Sequence, residues 1–194
     1  MDKFDVLSRY FGYTAFRKGQ EEVVDCLLSG GDSLAIMPTG AGKSVCYQVP
    51  AIMLSGITIV ISPLISLMKD QVNALVQQEI KAAYINRSLT DSQYARVLKN
   101  AVFGAYKIIY VAPERLDSSD FTNLCRKIKI SMVAVDEAHC VSQWGQDFRP
   151  SYLNVNKFIS KLSKRPIIGA FTATATDEVK NDIINILKLN NPKV

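Results

Sequence analysis

Short apolar runs alternate with longer amphipathic stretches along this chain. The apolar runs are continuous, which is typical of strands that a parallel sheet buries on both faces. They predict strands at 33–36, 57–61, 83–85, 107–111, 130–135 and 167–171. The amphipathic stretches carry apolar residues three and four positions apart, as one face of a helix requires. They predict helices at 4–12, 20–28, 45–54, 64–79, from 90 onward, 121–128, 152–162 and 177–187. The helix from 90 onward is expected to turn its apolar residues inward, which are Tyr94, Val97, Leu98, Ala101 and Val102.

Alternating strands and helices predict parallel pairing, right-handed crossovers and helices on both faces of the sheet. We therefore expect an α/β fold with three layers, α/β/α. Ligands of such sheets bind at the carboxyl ends of the strands. Polar residues follow five of the predicted strands, at 37–44, 62–63, 113–114, 136–137 and 172–174. One edge of the sheet is thus predicted to carry the chemistry.

The segment from Met37 to Ser44, MPTGAGKS, joins a predicted strand to a predicted helix. This is the context of a phosphate-binding P-loop, whose backbone N–H groups and helix N-terminus hold a polyphosphate. Lys43 would reach the β- and γ-phosphates, and the Ser44 hydroxyl would hold Mg²⁺. Met37 stands where the strict pattern has glycine, so a glycine-rich turn with a chance Lys-Ser stays open as an alternative. A dinucleotide loop fits worse, because Val45 occupies the place of its third glycine.

Asp136 and Glu137 directly follow the apolar run 130–135. In P-loop enzymes an acidic residue at this place holds Mg²⁺, and an adjacent glutamate can orient or deprotonate the attacking water. An isolated pair of this kind is more often a solvated turn, but a P-loop upstream favours the catalytic interpretation. His139 is the one histidine of the chain, and by itself it is best explained as a structural residue.

Bulk properties narrow the function classes. A chain of 194 residues is long enough for one well-buried domain, and a net charge of +5 permits a polyanionic partner. Four scattered cysteines without a C-x-x-C pair indicate reduced thiols and give no zinc site. The charged N-terminus is not a signal peptide, and no apolar run approaches the ~18 residues of a membrane span. These features predict a cytoplasmic protein.

Taken together, the motifs resemble those of superfamily 2 helicases. They are FRKGQ at 16–20, the 37–44 loop with CYQ after it, SPLISLMKDQ at 62–71, YVAPERL at 110–116, DEAH at 136–139 and TATA at 172–175. The run CVSQWGQDFRP at 140–150 narrows the resemblance to the RecQ DNA helicases. The motifs cover nearly the whole chain, and the family tolerates an apolar residue at position 37.

The resemblance implies the first RecA-like domain, residues 1–194, of a 3′-to-5′ DNA helicase that uses ATP and Mg²⁺, with the adenine motif in residues 1–30. ATP would contact Tyr13, Arg17, Gln20, Thr39, Gly40, Ala41, Gly42, Lys43, Ser44 and Val45. Lys43, Asp136 and Glu137 would be catalytic, with Ser44 and Asp136 on the metal. Single-stranded DNA would contact Ser62, Pro63, Leu64, Ser66, Gln143, Trp144, Phe148 and Arg149. His139, Thr172 and Thr174 would couple the two sites.

Simpler interpretations stay open for single residues of these sets. Tyr13 would then be a core aromatic, Gln20 an exposed helix residue and Trp144 a buried anchor. The 62–66 segment would be an ordinary helix cap, and 172–174 the start of a helix. Arg149 could contact either a phosphate or the acidic site.

Two positions depart from the family pattern: Lys18 replaces a proline and Gln146 a histidine, and neither is a phosphate or metal ligand. The family's second RecA-like domain, absent from this chain, supplies an arginine finger worth ~10³–10⁵ in rate. We therefore expect the chain alone to bind ATP weakly, hydrolyse it slowly and unwind no duplex. Its expected partners are single-stranded or partly duplex DNA and that second domain, with no membrane. The competing hypotheses are an RNA helicase core and a nucleotide-dependent binding module without catalysis.

Overall fold

The computed structural model describes all of residues 1–194 and contains one sheet of six strands. All neighbouring strands are parallel, as the continuous apolar runs predict. The strands are β1 (Ser33–Ile36), β2 (Ile57–Ile61), β3 (Ala82–Ile85), β4 (Ile108–Val111), β5 (Ile130–Val135) and β6 (Ile167–Thr172). Their order across the sheet is β1-β6-β5-β2-β4-β3.

Eight α-helices connect and flank the strands, close to the predicted positions. They are α1 (Lys3–Phe11), α2 (Gln20–Leu28), α3 (Lys43–Met53), α4 (Ile65–Gln77), α5 (Asp91–Val102), α6 (Ser119–Lys127), α7 (Asn154–Ser160) and α8 (Asp177–Ile186). Short 3₁₀ turns lie at Pro113–Arg115, Ala138–Val141 and Pro150–Leu153. The capping box that opens α5 is present, since Thr90 accepts from the Gln93 backbone and the Gln93 side chain accepts from the Thr90 backbone.

Two local predictions are wrong. The helix predicted to begin at 152 begins at Asn154, because the segment before it forms a 3₁₀ turn that opens with Pro150. Proline lacks an N–H group and is tolerated only at the start of such a turn. Val102 was expected to point inward but is 52% exposed, because it lies in the last turn of α5 beyond Ala101, which is buried.

Apolar side chains cover both faces of the sheet and produce three layers. On one face, Ile59 and Val133 pack with side chains from α5, α6, α7 and α8. On the other face, Val60 and Ala134 pack with side chains from α2, α3 and α4. The expected three-layer α/β/α architecture is confirmed.

The order of the strands gathers the polar loops at one edge. β6 lies between β1 and β5, so the end of β6 separates the loop after β1 from the residues after β5. The Met37 N–H donates to the Thr172 carbonyl over 2.9 Å, which holds the start of the 37–44 loop against β6. The loop and the acidic pair therefore open toward the same side of the sheet.

Candidate active site at the carboxyl edge of the sheet

The P-loop connects β1 to the first residue of α3, Lys43. Gly40 and Gly42 have φ values of 81° and 82°, a backbone conformation that L side chains rarely adopt. A Cβ on Gly42 would lie 2.5 Å from the Gln20 amide nitrogen, so any other residue there would have to displace the Gln20 amide as well as adopt a left-handed backbone. No side chain caps the N-terminus of α3. The Lys43 and Ser44 N–H groups are therefore available to an anion, whereas the Val45 N–H donates to the Gly42 carbonyl over 3.1 Å.

The N-terminal motif is fastened directly to the P-loop. The Arg17 guanidinium donates to the Gly40 carbonyl over 2.8 Å, and the Gln20 amide donates to the Ala41 and Gly42 carbonyls over 2.9 and 3.1 Å. Gln20 is only 4% exposed, so the alternative of an exposed helix residue is wrong. Both ends of its amide are engaged, because the Arg17 backbone N–H donates to its oxygen. Gln20 braces the loop here, and contact with a base requires those bonds to exchange.

Tyr13 lies at the outer wall of the same region. It is 49% exposed, so the alternative of a core aromatic is wrong. The Arg17 guanidinium lies 6.0 Å from the centroid of the Tyr13 ring. A cavity of about 110 Å³ separates Tyr13 from Gly40 and Val45. A flat aromatic group could enter between the ring and the P-loop.

The acidic pair stands beside the lysine of the P-loop. Lys43 Nζ lies 3.9 Å from Glu137 Oε1. Burial, and then the Glu137 charge, raise the pKa of Asp136 from its ordinary 3.8 to about 6, while Lys43 and the Glu137 N–H oppose the rise. Asp136 is 8% exposed, so a solvated acidic turn is ruled out. The Tyr152 hydroxyl donates to the Asp136 carbonyl over 2.8 Å and so holds the backbone of the acidic pair in place.

Glu137 has a strained backbone, since its φ of 48° and ψ of 47° lie in the left-handed region, as in three other non-glycine residues of the chain. Its N–H donates to Asp136 Oδ1 over 3.0 Å, which ties the two carboxylates into one turn. Such strain in a non-glycine residue persists only where the surroundings enforce it, and it is frequent at functional sites. The conformation directs the two adjacent carboxylates differently, one into the interior and one toward Lys43.

The residues fit a nucleotide with its magnesium ion. No group of three His, Cys, Asp or Glu side chains in the chain could hold a metal by itself. Mg²⁺ in nucleotide sites is commonly held by one or two protein oxygens together with phosphates and water. Ser44 in the first turn of α3 and the buried Asp136 offer such oxygens. The fit is thus to a metal that arrives with a polyphosphate.

His139 connects the acidic turn to β6. Its Nδ1 lies 3.4 Å from Glu137 Oε2 and 2.9 Å from the Thr172 hydroxyl. That hydroxyl in turn lies 3.0 Å from the Thr174 carbonyl. Thr172 is the last residue of β6 and is buried, so it does not begin a helix. These contacts join His139, Thr172 and Thr174 in one continuous series of polar contacts.

The aromatic segment 143–149 leaves this turn as an exposed loop. Trp144 is 70% exposed, so the alternative of a buried anchor is wrong, whereas Phe148 is half-buried. The base of the loop is fixed by Ser142, whose hydroxyl accepts from the Trp144 N–H over 3.1 Å and donates to Asp182 of α8 over 2.6 Å. Gln143 is exposed beside Trp144.

The segment after β2 is only partly free. The Ser62 N–H donates to the Val111 carbonyl over 3.2 Å, so Ser62 cannot offer its backbone to a phosphate as expected. Leu64 and Ser66 are exposed, and α4 begins there without a side-chain cap. Arg149 donates to the Pro63 carbonyl over 3.1 Å and pairs with Asp147 at 2.7 Å. Its hydrogen bonds go to Pro63 and Asp147 and not to the acidic pair, so Arg149 joins the aromatic loop to this segment while its side chain stays 34% exposed.

The family follows from comparison with known proteins. The sequence model of the family described as DEAD/DEAH box helicase matches residues 17–182. The chain belongs to the DEAD/DEAH box helicase family. The match begins at Arg17 and ends within α8, so it includes the P-loop, the acidic turn and the end of β6.

Curated relatives of this helicase domain carry RecQ names. The chain is 51% identical over 185 residues to "ATP-dependent DNA helicase RecQ" of Bacillus subtilis, covering 95% of this chain and 31% of the relative. It is 50% identical to the protein of the same name from Pasteurella multocida, covering 98% and 30%. Identity to "ATP-dependent helicase wrn-1" of Caenorhabditis elegans is 42%, covering 100% and 18%. The chain spans about a third or less of the length of these relatives.

Solved structures share the fold at low sequence identity. The helicase MrfA bound to DNA and AMPPNP superimposes with a TM-score of 0.76 at 16% identity, covering 100% of this chain and 28% of that one. A hypothetical ATP-dependent RNA helicase from Sulfolobus tokodaii gives 0.73 at 19%, covering 98% and 55%. These likenesses show that the helicase domain has a RecA-like α/β/α fold.

Several residues that shape the helicase site had no role in the sequence analysis. Tyr152 and Asp182 hold the acidic turn and the aromatic loop from outside the motifs. Their contacts are 16 and 40 residues away in sequence, so no local pattern points to them.

No helix of the structure has both the length and the apolar character to cross a membrane.

Proposed function

We propose that this chain is the ATP-binding motor domain of a RecQ-type DNA helicase, which binds MgATP and single-stranded DNA and uses hydrolysis to move 3′ to 5′. One observation carries the proposal: the P-loop Lys43 and the acidic Glu137 lie 3.9 Å apart at one edge of the sheet, with Asp136 buried behind them. Lys43 is a cation that can bind phosphates, and Glu137 is a carboxylate that can orient water. Their separation fits phosphoryl transfer.

Each group has a distinct task in this mechanism. The Gly40–Gly42 backbone and the first turn of α3 bind the phosphates, and Lys43 neutralises their charge. Ser44 and Asp136 hold the magnesium ion, which supplies electrostatic stabilisation when bound. Tyr13 and Arg17 stack on the base, with Gln20 available once it exchanges its loop contacts.

Glu137 positions and deprotonates the attacking water. Its left-handed backbone turns the carboxylate toward Lys43. His139 contacts the same carboxylate at 3.4 Å and Thr172 at 2.9 Å. A movement of the Glu137 carboxylate on hydrolysis is therefore transmitted through His139 to Thr172, at the end of β6, and to Thr174.

DNA binds beside this site. The exposed Trp144 stacks on a base, and Phe148 and Gln143 complete that contact. The free N–H groups near Leu64 and Ser66 hold a phosphate, as unfilled helix N-termini hold anions. Arg149, bonded to the Pro63 carbonyl, keeps the two DNA contacts in register.

A second RecA-like domain completes the motor. The curated relatives are about three times as long as this chain or longer, and those from Bacillus subtilis and Pasteurella multocida are named DNA helicases. We propose that such a domain supplies the arginine finger and closes over the nucleotide. Hydrolysis by this chain alone is then slow by ~10³–10⁵. The assembled enzyme would act on DNA in the cytoplasm, at the nucleoid in a bacterium.

The test compares ATP binding and hydrolysis in three variants of the chain. Glu137→Gln should bind ATP as the wild type does and lose the residual hydrolysis, whereas Lys43→Ala should lose binding itself. Glu79→Gln is the matched control, because Glu79 also has a positive φ of 62° but follows α4 at the opposite edge. Hydrolysis that survives Glu137→Gln would contradict the mechanism. Binding without any wild-type hydrolysis would favour a nucleotide-dependent binding module.

The choice between DNA and RNA is tested separately. Single-stranded DNA should stimulate hydrolysis and RNA of equal length should not. Equal stimulation by RNA would favour an RNA helicase core, and Trp144→Ala would show whether the aromatic loop makes the distinction.

A further inference from the structure

A cavity of about 340 Å³ lies at the amino ends of β5 and β6, at the opposite edge of the sheet from the proposed nucleotide site. This amino-edge cavity is lined by Ile130 and Ile167, the first residues of the two strands, and by the loops that follow α3, α6 and α7. Its volume lies within the range of ~300–1,000 Å³ that is usual for pockets that bind small molecules. None of its lining residues has a part in the nucleotide or DNA contacts described above.

A step in the sheet produces the cavity. The register pairs Met132 of β5 with Ile167, so β5 begins two residues before the first residue of β6. Pro166 precedes β6 and has no N–H group, and proline in sheets is confined to strand starts, edges and bulges. The strand β6 therefore does not continue alongside Ile130 and Ser131. The three loops surround the space that this leaves beside β5.

Apolar side chains from both faces of the sheet line this space. Ile128, Ile130 and Leu162 lie at the partly buried margin of one core layer, and Leu54 and Ile167 lie at the margin of the other. Apolar surface that a ligand removes from water contributes favourable free energy to binding. The lining therefore favours a ligand with an apolar body.

The charged residues of the lining are all cations. Lys129, Lys164 and Arg165 line the cavity, and no carboxylate does. Arg165 is neutralised by the buried Asp32. Lys129 and Lys164 are exposed, and neither forms an ion pair. Two lysines without a counter-charge at the margin of an apolar cavity attract an anion.

Helix ends do not account for these two lysines. The helices α3, α6 and α7 all end beside the cavity, and cations stabilise the carbonyls at such ends. Other side chains already do this, since Lys107 donates over 2.8 Å to the carbonyl that follows α3 and Arg126 over 3.4 Å to the one that follows α7. Lys129 donates only to the Ser55 hydroxyl, over 2.7 Å, and Lys164 makes no hydrogen bond. Their charges remain free to pair with a ligand.

We propose that the amino-edge cavity binds a small organic anion. Its apolar body lies against Ile128, Ile130 and Ile167, and its acidic group pairs with Lys129 and Lys164. β5 spans six residues, so about 20 Å of strand separates this ligand from the acidic pair that follows β5. The anion and the nucleotide therefore bind at the same time, and the inference does not depend on the proposed function.

The test titrates the chain with 8-anilinonaphthalene-1-sulfonate, an organic anion whose fluorescence rises in apolar surroundings. Lys164→Glu should weaken its binding at least about 5-fold, since it replaces an attraction by a repulsion. Lys99→Glu is the matched control, because Lys99 is exposed on α5 outside the cavity and the charge change is the same. It should keep the affinity within about 2-fold. Both positions are exposed, so neither variant disturbs the core.

Methyl resonances locate the bound probe without any variant. The probe should shift the methyl groups of Ile128, Ile130, Leu162 and Ile167 most, with and without saturating magnesium adenylyl imidodiphosphate. A chain that does not bind the probe, shifts centred elsewhere, displacement of the probe by nucleotide, or a Lys164→Glu variant with wild-type affinity would each overturn the inference. A chain that binds the probe here but binds no nucleotide would contradict the proposed function and support this site.

Discussion

Asp136→Asn should stabilise the chain while abolishing its use of magnesium nucleotide. The pKa of Asp136 rises from 3.8 to about 6 because burial disfavours its charge. At ~1.36 kcal/mol for each pKa unit, this difference costs the folded state about 3 kcal/mol at neutral pH. Asparagine removes the charge and can still accept from the Glu137 N–H. The shift to about 6 already includes the attraction to Lys43, but the asparagine amide must itself be buried, so we expect a gain of about 1–3 kcal/mol.

The assay is urea denaturation of both proteins without magnesium at several pH values, and thermal unfolding gives a second reading. A gain of this size corresponds to a melting temperature higher by about 2–10 °C. Asp136 has a raised folded pKa, so its destabilising charge is fully present above about pH 6. The advantage of the variant should therefore shrink as the pH falls from about 6 toward 4. A variant no more stable than wild type, or an advantage that is independent of pH, would refute the reasoning.

Three further predictions concern single contacts. Gly42→Ala should lower nucleotide affinity at least about tenfold in calorimetry, because a Cβ would meet Gln20 and the left-handed backbone costs about 1–2 kcal/mol. Gly12→Ala, at a similar φ of 72° with open space around it, should cost similar stability and spare nucleotide binding. Trp144→Ala should change the free energy of unfolding by less than about 0.5 kcal/mol but weaken single-stranded DNA binding by ~1–3 kcal/mol. DNA affinity that is unchanged in fluorescence anisotropy would contradict stacking. Asp32→Ala should lower stability by about 3 kcal/mol in denaturation, since this buried carboxylate accepts two backbone N–H groups and an arginine, and a loss below 1 kcal/mol would oppose that role.

The sheet and its carboxyl edge were predictable because local pattern determines them. Continuous apolar runs of four to six residues between turn residues are typical of strands buried on both faces, and the carboxyl ends of parallel strands share an edge. That argument places the P-loop and Asp136 on the same side without any distance information. The helix boundary near 154 was missed because Pro150 sets up a 3₁₀ turn, a choice that periodicity does not reveal.

The interior contacts were beyond the reach of sequence. Gln20 reads as a polar residue at a helix start, yet it is buried because the P-loop carbonyls need a donor. Ser62 reads as a free cap, yet β4 takes its N–H. Tyr110 reads as an ordinary strand aromatic, and only packing shows that its hydroxyl meets Gln48 of α3 and Gln71 of α4. Each depends on partners more than 20 residues away.

The central claim is that one nucleotide and its magnesium ion lie between the Gly42–Ser44 turn and the Asp136–Glu137 pair. The most direct measurement is a crystal structure of the chain grown with magnesium adenylyl imidodiphosphate. We predict the terminal phosphate at Lys43 and the metal between Ser44 and Asp136. Nucleotide bound away from the P-loop, or a metal that contacts neither of these two residues, would contradict the account.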